Sequence, residues 1–183
     1  MTRKAWKIYG VLAIGALLLS GIFYYNRPFR TRMGAYLTDL SDRTPAQRQN
    51  IERVGRTLRE VVLKPGETLS LNTLAGPYTK ERGYQEERSF VGHGVSDTAG
   101  GGVCQVASTL YNAALLSGLR VIERVPHSQD VVSVPKGRDA TLAYGVADLK
   151  LKNQFEFPVQ IRSRIMTDQL LIEIWGKESR HVE

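Results

Sequence analysis

The 183-residue chain has one cysteine, three histidines and two tryptophans. One cysteine excludes an internal disulfide framework, so Cys104 is either a small buried hydrophobe or a reactive thiol. With only His93, His127 and His181 present, the choice of base for thiol chemistry is short. Acidic residues are missing from the start of the chain, where none precedes Asp39. That gap accounts for most of the formal net charge of +7. Six of the 25 basic residues (Arg3, Lys4, Lys7, Arg27, Arg30 and Arg32) precede residue 33, leaving 19 basic against 18 acidic over the rest. The basicity is local and no basic stripe with interleaved aromatics follows, which argues against nucleic acid as a partner. The sequence also lacks repeats, low-complexity tracts and a strand–GxxxxGK(S/T)–helix phosphate loop. His93, Asp97, Cys104 and His127 match no metal-ligand spacing, so neither metal nor cofactor is expected.

What is present centres on Gly100-Gly101-Gly102-Val103-Cys104-Gln105. A glycine run reaches backbone conformations closed to other residues and lets a ligand approach closely. After it, Val106, Leu110, Ala113, Ala114 and Leu116 recur at helical spacing and Gly118 stands as a C-cap. Cys104 therefore falls at a helix N-terminus. There the dipole and unsatisfied N–H groups are expected to depress its pKa, and the same N–H groups can hold an oxyanion.

Residues 8–25 form an uncharged, mostly apolar run bracketed by Lys7 and Arg27, with Trp6, Tyr24 and Tyr25 at its ends. As a helix it is just short of spanning a bilayer, and no small-residue cleavage site follows it. The reading is a cytoplasmic tip and transmembrane anchor over 1–32, with the following domain outside the cytoplasm at the cell membrane. Residues 33–43 read as a linker, 44–176 as one domain and 177–183 as a tail. Thr44-Pro45-Ala46-Gln47 predicts a capping box and an amphipathic helix with Ile51, Val54, Leu58, Val61 and Val62 on its apolar face. Further on, 68–72 and 89–91 read as short strands, 92–99 as a loop, and 120–125, 140–146, 148–152, 159–165 and 170–175 as strands. The fold class is α+β, a nucleophile-bearing helix packed on an antiparallel β-rich half.

A cysteine nucleophile needs a base and the base an orienter. The order helix-borne cysteine, then histidine and aspartate from the following sheet, is that of transglutaminase-like thiol enzymes. By that analogy Cys104, His127 and Asp139 form the catalytic set, with Asp148 competing for the orienting role. The backbone of Gly101, Gly102, Val103 and Gln105 is the candidate oxyanion and substrate cradle. Arg138 is a candidate fork for a substrate carboxylate, or a local ion-pair partner.

These residues resemble the VanW-like family. The resemblance is carried by Asn50 and its helix, Leu63-Lys64-Pro65-Gly66-Glu67-Thr68-Leu69-Ser70, Gly83-Tyr84, and Gly100 to Val106 with Thr109-Leu110-Tyr111-Asn112-Ala113. Pro126-His127-Ser128, Gly137-Arg138-Asp139-Ala140-Thr141, Tyr144-Gly145 and Asp148-Leu149 complete it. The resemblance implies a VanW-like domain acting at the cell envelope near peptidoglycan, with L,D-transpeptidation of stem peptides as its activity and a link to glycopeptide resistance. The alternative from another class is a non-catalytic envelope module that binds peptidoglycan or a resistance-system partner.

Overall fold

The computed structural model describes residues 28–91 and 94–177. Strand β1 (Thr31–Asp39) leads into helix α1 (Pro45–Thr57), then β2 (Val61–Leu63), β3 (Thr68–Ser70) and the short helix α2 (Leu71–Ala75). A hairpin of β4 (Glu86–Val91) and β5 (Gly94–Ala99) precedes helix α3 (Val103–Ser117). The chain closes with β6 (Arg120–Glu123), β7 (Lys150–Lys152), β8 (Val159–Met166) and β9 (Gln169–Gly176). All pairing between strands is antiparallel, in sheets ordered β1-β9-β8-β2, β3-β7-β6 and β4-β5.

Local chemistry explains the frame. Thr44 accepts the Gln47 N–H at 3.2 Å, and the Gln47 side chain accepts the Thr44 N–H at 3.4 Å, so the capping box with Pro45 starts α1 as the sequence predicts. Leu170, Ile172 and Ile174 alternate inward on β9 and are fully buried beside Val159 and Ile161 of β8. Each such side chain removed from water contributes roughly 1.5–3 kcal/mol. Helix α3 lies on the β1–β9 part of this sheet, with α1 beside it. Val106, Ala107, Leu110, Ala113 and Ala114 of α3 are fully buried, so the cysteine helix is the centre of the core.

Several expectations need correction. The α+β class with antiparallel sheets holds, but the transmembrane helix written into it does not: among the described residues no helix is long and apolar enough to cross a membrane. Residues 8–25, where that helix was placed, lie outside the described residues. The expected linker 33–43 is largely strand β1, paired from Thr31↔Gly176 to Asp39↔Gln169. Its Gly34 passes α3 so closely that a Cβ there would stand 2.6 Å from the Ser117 nitrogen, and this contact makes β1 part of the core. Leu71-Asn72 starts α2 rather than extending a strand, because Ser70 caps it by accepting the Thr73 N–H at 3.1 Å. The expected loop 92–99 contributes β5. Residues 140–146 form no strand beyond a single Ala143↔Ala147 bridge, for a reason that lies in the site.

Candidate active site

The site is built on one face of α3. Gly102 supplies the N-cap in a left-handed conformation (φ 94°), with Gln47 of α1 about 3.2 Å from where its Cβ would be. The next three polar residues facing the same way are Cys104, Ser108 and Asn112, spaced one helical turn apart. An irregular strap, residues 138–142, runs antiparallel across them. The Asn112 amide donates to the Arg138 carbonyl at 2.7 Å, and Ser108 Oγ accepts the Ala140 N–H at 2.9 Å. Cys104 Sγ accepts the Leu142 N–H at 3.3 Å and its thiol points back at the Leu142 carbonyl at 3.6 Å. The Thr141 N–H goes the other way, to the Val125 carbonyl at 2.8 Å. Hydrogen-bonding capacity that a strand would spend on a ladder is spent here on helix side chains. That is why 140–146 is not a strand.

The strap carries Asp139, and His127 lies against it. One carboxylate oxygen, Oδ2, receives the His127 backbone N–H at 2.6 Å and faces ring Nδ1 at 2.7 Å. The other, Oδ1, receives Arg124 Nη2 at 2.8 Å. The His127 side chain is 3% exposed. Burial alone would raise the Asp139 carboxyl, but the His127 N–H and ring, with the Arg124 charge, outweigh it and hold the group below the ordinary carboxylate range. An ionised carboxylate only accepts hydrogen bonds. Nδ1 therefore carries the ring proton when the imidazole is neutral, and Nε2 is left as the basic nitrogen.

Asp148, the competing orienter, is occupied elsewhere. It accepts the Ser70 hydroxyl at 2.6 Å, the Asn72 N–H at 2.9 Å and the Leu149 N–H at 2.8 Å. His93 and His181 lie outside the described residues.

The cysteine differs from the expectation. Burial pushes the Cys104 thiol up, the N–H groups of Leu142 and of Cys104 itself pull it down without compensating, and the nearby Asp139 carboxylate adds to the rise. A helix N-terminus favours a thiolate by a modest amount, and desolvation beneath the strap exceeds it. The resting sulfur is a neutral thiol.

The expected cradle is largely built into the fold. The Gly101 carbonyl accepts Asn50 Nδ2 at 3.0 Å, and Val103 is a core residue. The Val103 and Gln105 N–H groups already donate to the Gly100 and Gly102 carbonyls at 3.2 and 3.0 Å. The buried Gln105 side chain ties the end of β1, donating to the Asp39 carbonyl at 2.7 Å and Thr38 Oγ1 at 3.1 Å. Arg138 is exposed at the first position of the strap, where its carbonyl rather than its guanidinium is engaged by Asn112.

Residues that the sequence reading passed over complete the site. Arg124 donates through Nε to the Asp139 carbonyl at 2.6 Å and stacks 5.2 Å from the Tyr111 ring centre of α3. Tyr78, whose hydroxyl donates to Asn72 at 2.9 Å, is near enough to Cys104 and Asp148 for their charges to reinforce the upward shift that its burial causes. Among the described residues, no three His, Cys, Asp or Glu side chains gather as a metal site.

An α+β domain with a cysteine helix, a strap over the thiol and a histidine held against the strap's aspartate is the class the structure defines. The family model described as "VanW like protein" matches residues 46–175, and the chain belongs to the VanW-like family. It is 33% identical over 147 residues to the uncharacterized protein YoaR of Bacillus subtilis, covering 80% of this chain and 48% of that protein. It is 28% identical over 132 residues to the vancomycin B-type resistance protein VanW of Enterococcus faecalis, covering 69% of this chain and 48% of that protein. The chain thus spans about half the length of the curated relatives it matches. No solved structure matches it.

Proposed function

We propose that this chain is a cell-envelope acyltransferase acting on peptidoglycan stem peptides, with Cys104 as nucleophile, His127 as base and Asp139 as the group that orients the base. The observation that carries this reading is the Asp139–His127 contact of 2.7 Å on a strap that also binds the Cys104 sulfur. A relative named for vancomycin B-type resistance supports the link to glycopeptide resistance.

The neutral thiol dictates the form of the chemistry. No thiolate–imidazolium pair waits at rest, so the proton leaves the thiol as the sulfur attacks, and His127 Nε2 receives it. Sγ bonds to the carbonyl carbon of the third residue of a tetrapeptide stem. The C–N bond to the terminal residue breaks, and the imidazolium returns the proton to the departing amine. An amine of a second stem then attacks the thioester. Its proton passes through His127 to the leaving sulfur, giving a 3→3 cross-link and free Cys104. With water in place of the amine the same steps hydrolyse the stem.

A second reading, a non-catalytic module that binds peptidoglycan, draws on one observation: the sulfur is hydrogen-bonded to Leu142 and kept neutral. One experiment separates the two. The full chain and its Cys104→Ala variant are incubated with a disaccharide tetrapeptide, and intact mass is followed. Acyl transfer gives an adduct on the wild type with loss of the terminal residue, and none on the variant. Equal binding by both proteins with no adduct would leave the binding module standing and remove acyl transfer.

A further inference from the structure

We propose that Arg124 is a positioning residue of this site: it fixes the orientation of the Asp139 carboxylate and, through it, the tautomer of His127. The inference rests on the acyl-transfer reading, in which His127 needs a proton on Nδ1 and a bare Nε2.

The geometry is specific to arginine. Arg124 leaves the end of β6 and makes three hydrogen bonds, two to the strap and one to the residue before it: Nε to the Asp139 carbonyl (2.6 Å), Nη2 to Asp139 Oδ1 (2.8 Å) and Nη2 to the Gly137 carbonyl (3.2 Å). Its guanidinium lies 5.2 Å from the Tyr111 ring centre, on the same helix as Cys104. A planar fork meets a backbone and a carboxylate oxygen of one residue while stacking on an aromatic face, and a lysine ammonium cannot do all of this at once.

The carboxylate is consequently held from both sides. Oδ2 is committed to two groups of His127 and Oδ1 to Arg124, so rotation about the side chain breaks contacts at both ends. The guanidinium also offsets the burial that would otherwise favour a protonated Asp139. A protonated carboxylic acid can donate to Nδ1, which reverses the tautomer and places the ring proton on the nitrogen meant to accept from the thiol. Arg124 blocks that reversal without touching thiol or substrate.

A merely structural tether between β6 and the strap would change stability and leave the ring alone. The test therefore reads the ring. In the full chain, long-range ¹H–¹⁵N spectra of His127 are compared for wild type, Arg124→Gln and Arg124→Lys across pH 5 to 8, alongside thioester formation with the disaccharide tetrapeptide. The wild type is expected to show the Nδ1-protonated tautomer once the ring is neutral. Arg124→Gln is expected to mix the tautomers and slow acylation by about tenfold to a hundredfold with little change in KM. This is less than the roughly 10⁴-fold that a wrong tautomer throughout has cost a serine protease. Arg124→Lys keeps the charge and recovers part of the rate. An Nδ1-protonated ring in both variants would overturn the proposal, whatever their melting temperatures. The two readings fail separately: a wild type that forms no thioester removes acyl transfer, while the tautomer comparison still decides for or against Arg124.

Discussion

Asp139 and Asp148 sit on the same irregular passage between β6 and β7, are 7% and 6% exposed, and do different work. Asp148 receives only neutral donors: a hydroxyl and two backbone N–H groups that fix the start of α2 and the entry to β7. Asp139 receives a guanidinium and an imidazole as well as an N–H. Residue type and burial are shared, so the donors decide. Neutral donors make a carboxylate a structural staple. Titratable and cationic donors link its charge to a proton that can move.

Substitutions that swap those roles break or sharpen the contrast. The largest effect is expected from Asp139→Asn, which keeps the shape but permits the wrong histidine tautomer. Thioester formation on Cys104 should fall by about 10⁴-fold, read by mass spectrometry, with a melting temperature nearer the wild type than that of any Asp148 variant. The reverse profile is expected of Asp148→Ala, which strands two buried N–H groups and the half-buried Ser70 hydroxyl and costs about 3–5 kcal/mol in denaturant unfolding. If Asp139→Asn proves the more destabilising of the two and both leave catalysis alike, the distinction collapses.

Ser108→Ala tests the strap that carries Asp139. It leaves the buried Ala140 N–H without its acceptor, so a loss of about 1–2 kcal/mol is expected, with faster alkylation of Cys104 as the strap loosens. Unchanged alkylation would mean that the strap does not shield the thiol.

The smallest effects are in pH dependence, and their signs are opposite. The Asp139 carboxyl is depressed in the fold relative to about 3.9 in the unfolded chain, so its stabilising contribution is present above that value and lost as pH falls through the folded one. Asp139→Asn should flatten the acid limb of the unfolding curve. The Cys104 thiol is raised, so its contribution is complete below about 8.5 and fades as pH climbs towards the folded value. Alkylation in the full chain should accordingly titrate above about 8.5, and a midpoint well below it would show that the strap does not govern the sulfur.

Much of this molecule is written locally. The capping box of α1, the Gly118 end of α3 and the strands β8 and β9 follow from short-range chemistry, and the sequence predicts each of them. The pairing of His127 with Asp139 follows from analogy of order rather than from spacing, and the sequence does not separate it from Asp148, whose donors Ser70 and Asn72 lie far back in the chain. β1 was missed because Met33, Gly34 and Ala35 give no clean alternation, and the packing of Gly34 on α3 is a long-range fact. Residues 140–146 resemble a strand in sequence because Ala140-Thr141-Leu142 has strand composition, while its partners are side chains of a helix far back in the chain. A signal for that is present: Cys104, Ser108 and Asn112 recur every four residues as a polar row along one side of the helix, and such a row usually binds something. Arg124 offered no local cue.

The strap and its helix work like two rulers laid side by side. Four residues of helix advance about 6 Å, and two residues of extended chain about 6.6–6.8 Å. Over the two intervals from Asn112 to Cys104 and from Arg138 to Leu142 the scales drift apart by only about 1.2–1.6 Å, which three hydrogen bonds absorb. A fourth rung would be further out of step, and the chain turns away at Ala143. The number of residues between Arg138 and Leu142 is therefore a fixed length. Adding or deleting one would turn every side chain beyond the change to the opposite side and break the register that holds Asp139 against His127.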